Sequence, residues 1–514
     1  MKESSRRDFL RHMGALGAMG GTGAWMADMA SAQSTGTDYR ALVCIYLAGG
    51  NDAHNTVVAT DTQSWRCYSA MRDPVVMAKL TGTTPPSTMV SLALDPASLL
   101  KITPTNAKGL NTGRTFALNP QLKRIQALFS SGKAAIVANV GPLVMPVSKA
   151  DFQELHETPV PRGLFSHNDQ TSTWQSFGPD GSTGGWGGKL MDKLASRNGN
   201  ASFSAIGVNA NAVWLSGTTV IPYMLGTSGF FVMGGSAGQV FGSTAIYSAM
   251  RQAATTTSRT DDIALDYGRV AQRTLSAETA LSLGLPANNV SPWGTPGAAS
   301  NATDPLLQYT EPSDGKTYLN PLAQQLQVVA RTIAARGNSQ IGAKRQVFMV
   351  QLPGFDTHGN QLLAHATLMA KLDHAVGYFQ TCLAGMPGGD LSSQVTTFTA
   401  SEFGRKLVNN GAGTDHGWGG HHFVIGGAVK GGEMYGRFPD FLAFDGQGGF
   451  FSNDLIDGGG GLLPEISVDQ VVYTLGKWMG VAQADLAGAT PGTGIAPNIQ
   501  NFDPTLWDLG FMSA

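Results

Sequence analysis

Residues 400–422, ASEFGRKLVNNGAGTDHGWGGHH, hold three of the chain's ten histidines. His416, His421 and His422 lie there with Asp415 and Glu402 close by and glycines between them. Three more polar clusters share this character. Residues 51–55 read NDAHN, with Asp52, His54 and Asn55; residues 355–360 read FDTHGN, with Asp356 and His358; EFGR supplies Glu402 and Arg405. Carboxylate oxygens and neutral imidazole nitrogens without a nearby thiolate suit Zn²⁺, Mn²⁺, Fe, Mg²⁺ or Ca²⁺. The candidate ligands are Asp52, Asp356, His358, Glu402, Asp415, His416 and His422, enough for one or two ions. Two ions a few ångströms apart would clamp the attacking and leaving oxygens of an ester hydrolysis. The glycines would let the backbone fold closely over an ion.

A nucleophile candidate comes from RGLFSHNDQTSTWQS, residues 162–176, where Ser166 is followed by His167, Asp169 and a helix-like stretch. A hydroxyl at a helix N-terminus beside a metal is activated as an alkoxide. Ser166, His167 and Arg405 are therefore the catalytic candidates. Each cluster also has a plainer reading. Asp and His beside Gly are ordinary turn residues, Ser166 could do no more than cap its helix, and DHGWGGHH could be a solvated loop with His422 tucked under a sheet. His365 and His374 read as surface or packing residues of a helix and His156 as surface; His54 adjoins the first cluster.

Strands and helices alternate around these clusters. The apolar runs 41–50, 134–141, 202–210, 345–354, 394–401 and 422–429 predict buried strands. Helical spacing predicts helices over 119–133, 187–199, 321–337, 361–386 and 467–481, the last with a Ser N-cap. This order implies an α/β fold, a mostly parallel sheet with helices on both faces. In such sheets ligands bind beyond the carboxyl ends of the strands, which is where the polar clusters fall. The Gly-, Ser-, Thr- and Asn-rich stretch from about 228 to 316, with one helical piece at 261–284, reads as an insertion or cap on a single domain spanning 33–514.

The remaining composition narrows the classes. A net charge of −2 gives no electrostatic case for nucleic acid or an anionic membrane surface. No Gly-rich dinucleotide fingerprint follows the first strand, so LAGGND argues against an NAD-type oxidoreductase. Cys44, Cys67 and Cys382 form neither a disulfide framework nor a zinc motif. Residues 1–32 have the layout of a twin-arginine export signal: Arg6-Arg7, a weakly apolar Gly/Ala run over 13–27, then Ala30–Ala32 as a cleavage site. That run is too short and glycine-rich to span a membrane, and no other segment looks transmembrane. A periplasmic or extracellular product, handed to the Tat translocase during export, is expected.

On GGND…N after the first strand, SH.D before a helix, DTH.NQ, SEFGR with a DH loop, and SVDQ…TL..W.G, the chain resembles the bacterial exported family called domain of unknown function 1501. That family is similar to the alkaline-phosphatase and sulfatase superfamily. The resemblance implies a metal-binding Asp at Asp52, a nucleophile at Ser166 and an Asp/His ligand pair at Asp356 and His358. The superfamily's next strand usually ends in DHG; here it ends in Glu402 and Phe403, and DHG occurs at Asp415–Gly417. Either His416 fills that place or one metal site has been lost. The Cys-x-Pro-x-Arg signature of sulfatases is absent. The expected activity is hydrolysis of a phosphate or sulfate ester on a small molecule or polymer; the alternative is a non-catalytic exported binding or structural protein that keeps the fold.

Overall fold

A computed structural model describes residues 38–154, 159–230, 238–256, 261–441, 443–444 and 450–513. Residues 1–32, expected to be an export signal, and His156 lie outside the described residues. The fold is mixed α/β, built on a nine-stranded, mostly parallel sheet. In chain order its strands are β1 Arg40–Ala48, β2 Ala134–Gly141, β3 Ala205–Val208, β4 Tyr223–Leu225, β5 Arg345–Pro353, β6 Val395–Ala400, β7 Gly420–Ile425, β8 Met434–Tyr435 and β9 Ile466–Ser467. Across the sheet the order is β8-β2-β7-β6-β1-β5-β3-β4, with β9 also paired to β2.

The continuous apolar run of β1 is explained by burial on both faces. Ala41, Val43, Ile45 and Leu47 enter one core and Leu42, Cys44 and Tyr46 the other, as the two-residue strand period requires. On the first side lie α6 (Pro321–Ala334) and α7 (Gln361–Ala384), whose Leu326, Val329, Leu372 and Phe379 are fully buried. On the second lie α2 (His167–Ser176), α3 (Trp186–Leu194) and α8 (Val468–Met479). Their Trp174, Leu190 and Leu475 fill that layer. Each such side chain contributes about 1.5–3 kcal/mol by leaving water. Capping fixes the helix starts: Asn320 accepts from Leu322 and Ala323 with Pro321 at the first position, and Ser467 forms a capping box with Gln470.

One strand runs against the rest. β7 is antiparallel to both neighbours, β6 and β2, while β1 is parallel to β5 and β6. The start of β7 therefore lies at the same sheet edge as the ends of β1, β5 and β6. This antiparallel insertion brings the DHG loop, which precedes β7, to the carboxyl edge.

Within 228–316, α4 (Thr244–Ala254) has no buried residue. The second half of α5 (Asp262–Gly284) places Ala277, Ala280 and Leu281 in the main core, joined by Trp293 and Leu307. Among the described residues no helix is long and apolar enough to cross a membrane, and all three cysteines are free and buried.

Candidate metal centre at the carboxyl edge

Four elements deliver one cluster. β5 ends and Asp356 and His358 follow; His416 precedes β7; His167 opens α2; Glu402 and Arg405 follow β6. The cluster centres on Asp356 Oδ1, which has His358 Nε2 at 3.0 Å, His416 Nε2 at 3.2 Å and Arg405 NH1 at 3.0 Å. His167 Nε2 lies 3.5 Å from Asp356 Oδ2, and the Nε2 atoms of His358 and His416 are 3.0 Å apart. One donor atom each from His167, Asp356 and His416 fall within 4.8 Å of one another.

The outer nitrogens of two rings are already committed. His416 Nδ1 is 2.7 Å from the carbonyl oxygen of Phe165. A carbonyl only accepts, so Nδ1 carries the hydrogen and Nε2 of the neutral ring presents a lone pair. Phe165 adopts a left-handed backbone (φ 72°), a strain of the kind that gathers at functional sites. His167 Nδ1 lies 2.9 Å from Glu402 Oε1, which also accepts from Gly49 N at 2.7 Å. That carboxylate leaves His167 Nε2 facing Asp356 as a second lone pair. Lone pairs turned toward a carboxylate need a proton or a cation between them. Imidazole bonded behind to a carbonyl or carboxylate is how proteins orient metal ligands. The donor set of two or three imidazoles and one carboxylate suits Zn²⁺, Mn²⁺ or Fe and fits a divalent ion.

Close backbone packing builds this geometry. Gly49 (φ 117°) follows β1 so tightly on the 355–356 segment that a Cβ would stand 2.3 Å from Asp356 N. At Gly413 a Cβ would meet Thr357 O at 2.4 Å. Two of the glycines around the cluster are thus contact points between loops.

Asp356 is held below the ordinary carboxylate range: desolvation raises it, but the hydrogen bond and the charge of Arg405 outweigh that. His358 is held below the usual imidazole value, first by desolvation and then by the charge of Arg405. Arg405 is itself buried, and its NH2 has no partner among the described residues.

The other sequence candidates stand elsewhere. Asp52 is fully buried and its carboxylate is not turned to the cluster. Arg72, from α1 (Thr62–Arg72), takes both its oxygens at 2.6 and 2.8 Å, and Gln361 Nε2 reaches Oδ2 at 2.6 Å. It connects to the cluster only through a relay. Gln361 Oε1 accepts from Thr414 Oγ1 at 2.7 Å, and Thr414 Oγ1 accepts from Arg405 Nε at 3.4 Å. Glu402 stands behind His167, with Oε1 at its Nδ1. Asp415 is on the rim, 3.8 Å from His358 Nδ1 and bonded to Asn410. His422 is buried inside β7 with its ring edge toward Trp174 of α2. His421, on the opposite face, stacks on Phe438. Ser166 is the N-cap residue of α2, yet its side chain makes no cap bond. His365 and His374 are buried packing residues of α7.

Sequence reasoning placed His167 beside the nucleophile; its ring instead completes the imidazole set. The signal was present in SHND at a helix start, but only the fold brings β5 and the β7 loop to that helix. Thr414, Gln361 and Arg72 were not singled out, because Thr, Gln and Arg at such positions have no distinguishing pattern.

No curated protein matches the chain. Residues 240–485 match the family model described as Protein of unknown function (DUF1501). That stretch contains Asp356, His358, Glu402, Arg405 and His416 but neither Asp52 nor His167, and it supports placing the chain with the DUF1501 family.

Proposed function

We propose that the chain is an exported, metal-dependent hydrolase of a phosphate or sulfate ester. The observation that carries this reading is the convergence of imidazole Nε2 atoms on Asp356, with the rings of His167 and His416 held from behind by Glu402 and the Phe165 carbonyl. His167, Asp356 and His416 would hold the ion. A divalent ion there supplies Lewis acidity, lowering the pKa of a neighbouring oxygen and polarising the ester.

The chain's own groups supply the rest. Ser166 Oγ starts a ten-residue helix and, free of a capping bond, is the nucleophile that attacks phosphorus or sulfur as the alcohol leaves. His358, half exposed and held neutral near pH 7 by desolvation and Arg405, can take the proton. The unpartnered NH2 of Arg405 and the N-terminal amides of α2 favour the negative charge that develops. Export by the Tat route to the periplasm or beyond belongs to the same proposal and rests on Arg6-Arg7 and the segment that follows.

One observation favours the non-catalytic alternative. Arg405 lies 3.0 Å from Asp356, and that positive charge weakens the carboxylate's hold on a second cation. The test is a screen of phosphomonoesters, phosphodiesters and sulfate esters on metal-replete protein, with Ser166→Ala and Asp356→Ala alongside. The hydrolase reading expects turnover that both substitutions abolish, with metal retained in Ser166→Ala. Metal-loaded wild type showing no hydrolysis that Asp356→Ala removes would favour the binding protein.

A further inference from the structure

The N-terminal half of α5 has an unusual surface. Its C-terminal half is anchored, with Ala277, Ala280 and Leu281 in the core and Glu278 held by Arg251 of α4 at 3.3 Å. Before that anchor, Ile263 is 83% exposed, Tyr267 65% and Val270 40%. These residues fall at i, i+4 and i+7, so they form one apolar stripe. Gly268 is buried and Ala264 and Leu265 are half-buried, so this segment meets the body on the side away from the stripe; one to two turns farther on, the stripe's own face enters the core through Ala277 and Leu281.

The charges beside the stripe are ordered. Asp262, Asp266, Arg269 and Arg273 all fall within about 60° of the helix circumference, along one flank of the stripe. None of the four forms an ion pair among the described residues. The acidic pair comes first and the basic pair second. The pairs 262/273 and 266/269 are both centred between residues 267 and 268. A twofold axis through that point lays the flank against the same flank of another copy, running the other way. Acid then meets base at every position, and the apolar stripe is covered.

We infer that Asp262–Thr274 of α5 is a self-association surface. Two copies of this chain pack it antiparallel, Asp266 of each against Arg269 of the other and Asp262 against Arg273. The interface is isologous, as in most homodimers. The self-complementary charge order singles out a second copy; an unrelated apolar partner would require no such symmetry. A pairing of about three to four helical turns is smaller than a standard interface of about 800 Å² per partner, so the association is of the weak, transient class.

The test is sedimentation velocity on the chain from about 1 to 100 µM, a window set by that small interface. Wild type is expected to dimerise within this range. Asp266→Arg alone places two like-charge pairs in the interface and should weaken dimerisation at least tenfold, as should Arg269→Asp alone. Mixed one to one, the two variants should associate again, because the heterodimer pairs the two introduced side chains, an arginine from one copy against an aspartate from the other. Circular dichroism checks that helix content is unchanged. A wild type that stays monomeric, single variants that dimerise like wild type, or a mixture that fails to regain association would each overturn the inference.

Discussion

His167 and Glu402 form a 2.9 Å hydrogen bond between imidazole Nδ1 and carboxylate Oε1, and the same oxygen takes the Gly49 amide at 2.7 Å. One buried carboxylate therefore fixes both the tautomer of a ring in the candidate metal cradle and the turn that follows β1. Removing it should loosen the cradle without removing a ligand. Glu402→Ala is expected to lower affinity for Zn²⁺ or Mn²⁺ by about 10–100-fold, read by competition with a chelator. Glu402→Gln keeps an acceptor for His167 and should recover part of that loss. Equal affinities for wild type and Glu402→Ala would remove Glu402 from this role.

Asp52 acts through a different force. It and Arg72 are both fully buried and paired at 2.6 Å. Asp52→Ala strands a buried guanidinium, which costs about 3–5 kcal/mol, read as a lower urea midpoint with an unchanged slope. Metal affinity per folded molecule should change far less than in Asp356→Ala. An Asp52→Ala protein of full stability that has lost its metal would make Asp52 a ligand after all.

A pH dependence follows from Asp469, which is buried at the start of α8 and accepts from Asn498 N and Ser467 Oγ. Desolvation pushes its pKa up to about 6 from an ordinary 3.8, against the lowering effect of those hydrogen bonds. The folded state therefore keeps a proton that the unfolded chain gives up. This contribution is fully present below the unfolded pKa and is lost as pH rises through about 6. Over the two-unit gap that is about 3 kcal/mol. Urea unfolding of wild type and Asp469→Asn at pH 4 and pH 7.5 should show wild type losing stability relative to the variant at the higher pH. Parallel changes would count against it.

Export has its own test. Arg6→Lys with Arg7→Lys should leave the precursor in the cytoplasm, measured by fractionation and immunoblot. An unchanged periplasmic yield would rule out the Tat route.

Much of the fold is legible in the sequence where packing leaves a local pattern. Residues 134–141 read as a buried strand because every position but Asn139 is apolar or glycine, and all eight are buried in β2. Helical spacing over 361–386 and 467–481 survives as α7 and α8 because each buries a broad face. The direction of β7 leaves no such trace, since an apolar run reads alike for either sense. That direction places His416 at the ligand edge, while the two-residue strand period sends the rings of His421 and His422 to opposite faces of the sheet. Asp52 has the residue type of a ligand, but Arg72 lies twenty positions on, in a helix whose sequence gives no hint of a buried cation. In 228–316 the glycine- and serine-rich composition hides the few large apolar residues, Leu281, Trp293 and Leu307, that tie it to the core.

The metal content of protein folded in the cell tests the central claim most directly. Elemental analysis of purified wild type, Asp356→Ala and His416→Ala should find about one divalent transition ion per wild-type chain, the stoichiometry that a single His/Asp cradle holds, and little in either variant at unchanged helix content. Wild type without metal that also fails to take up Zn²⁺, Mn²⁺ or Fe²⁺ on addition would contradict the account, as would metal retained in full by both variants.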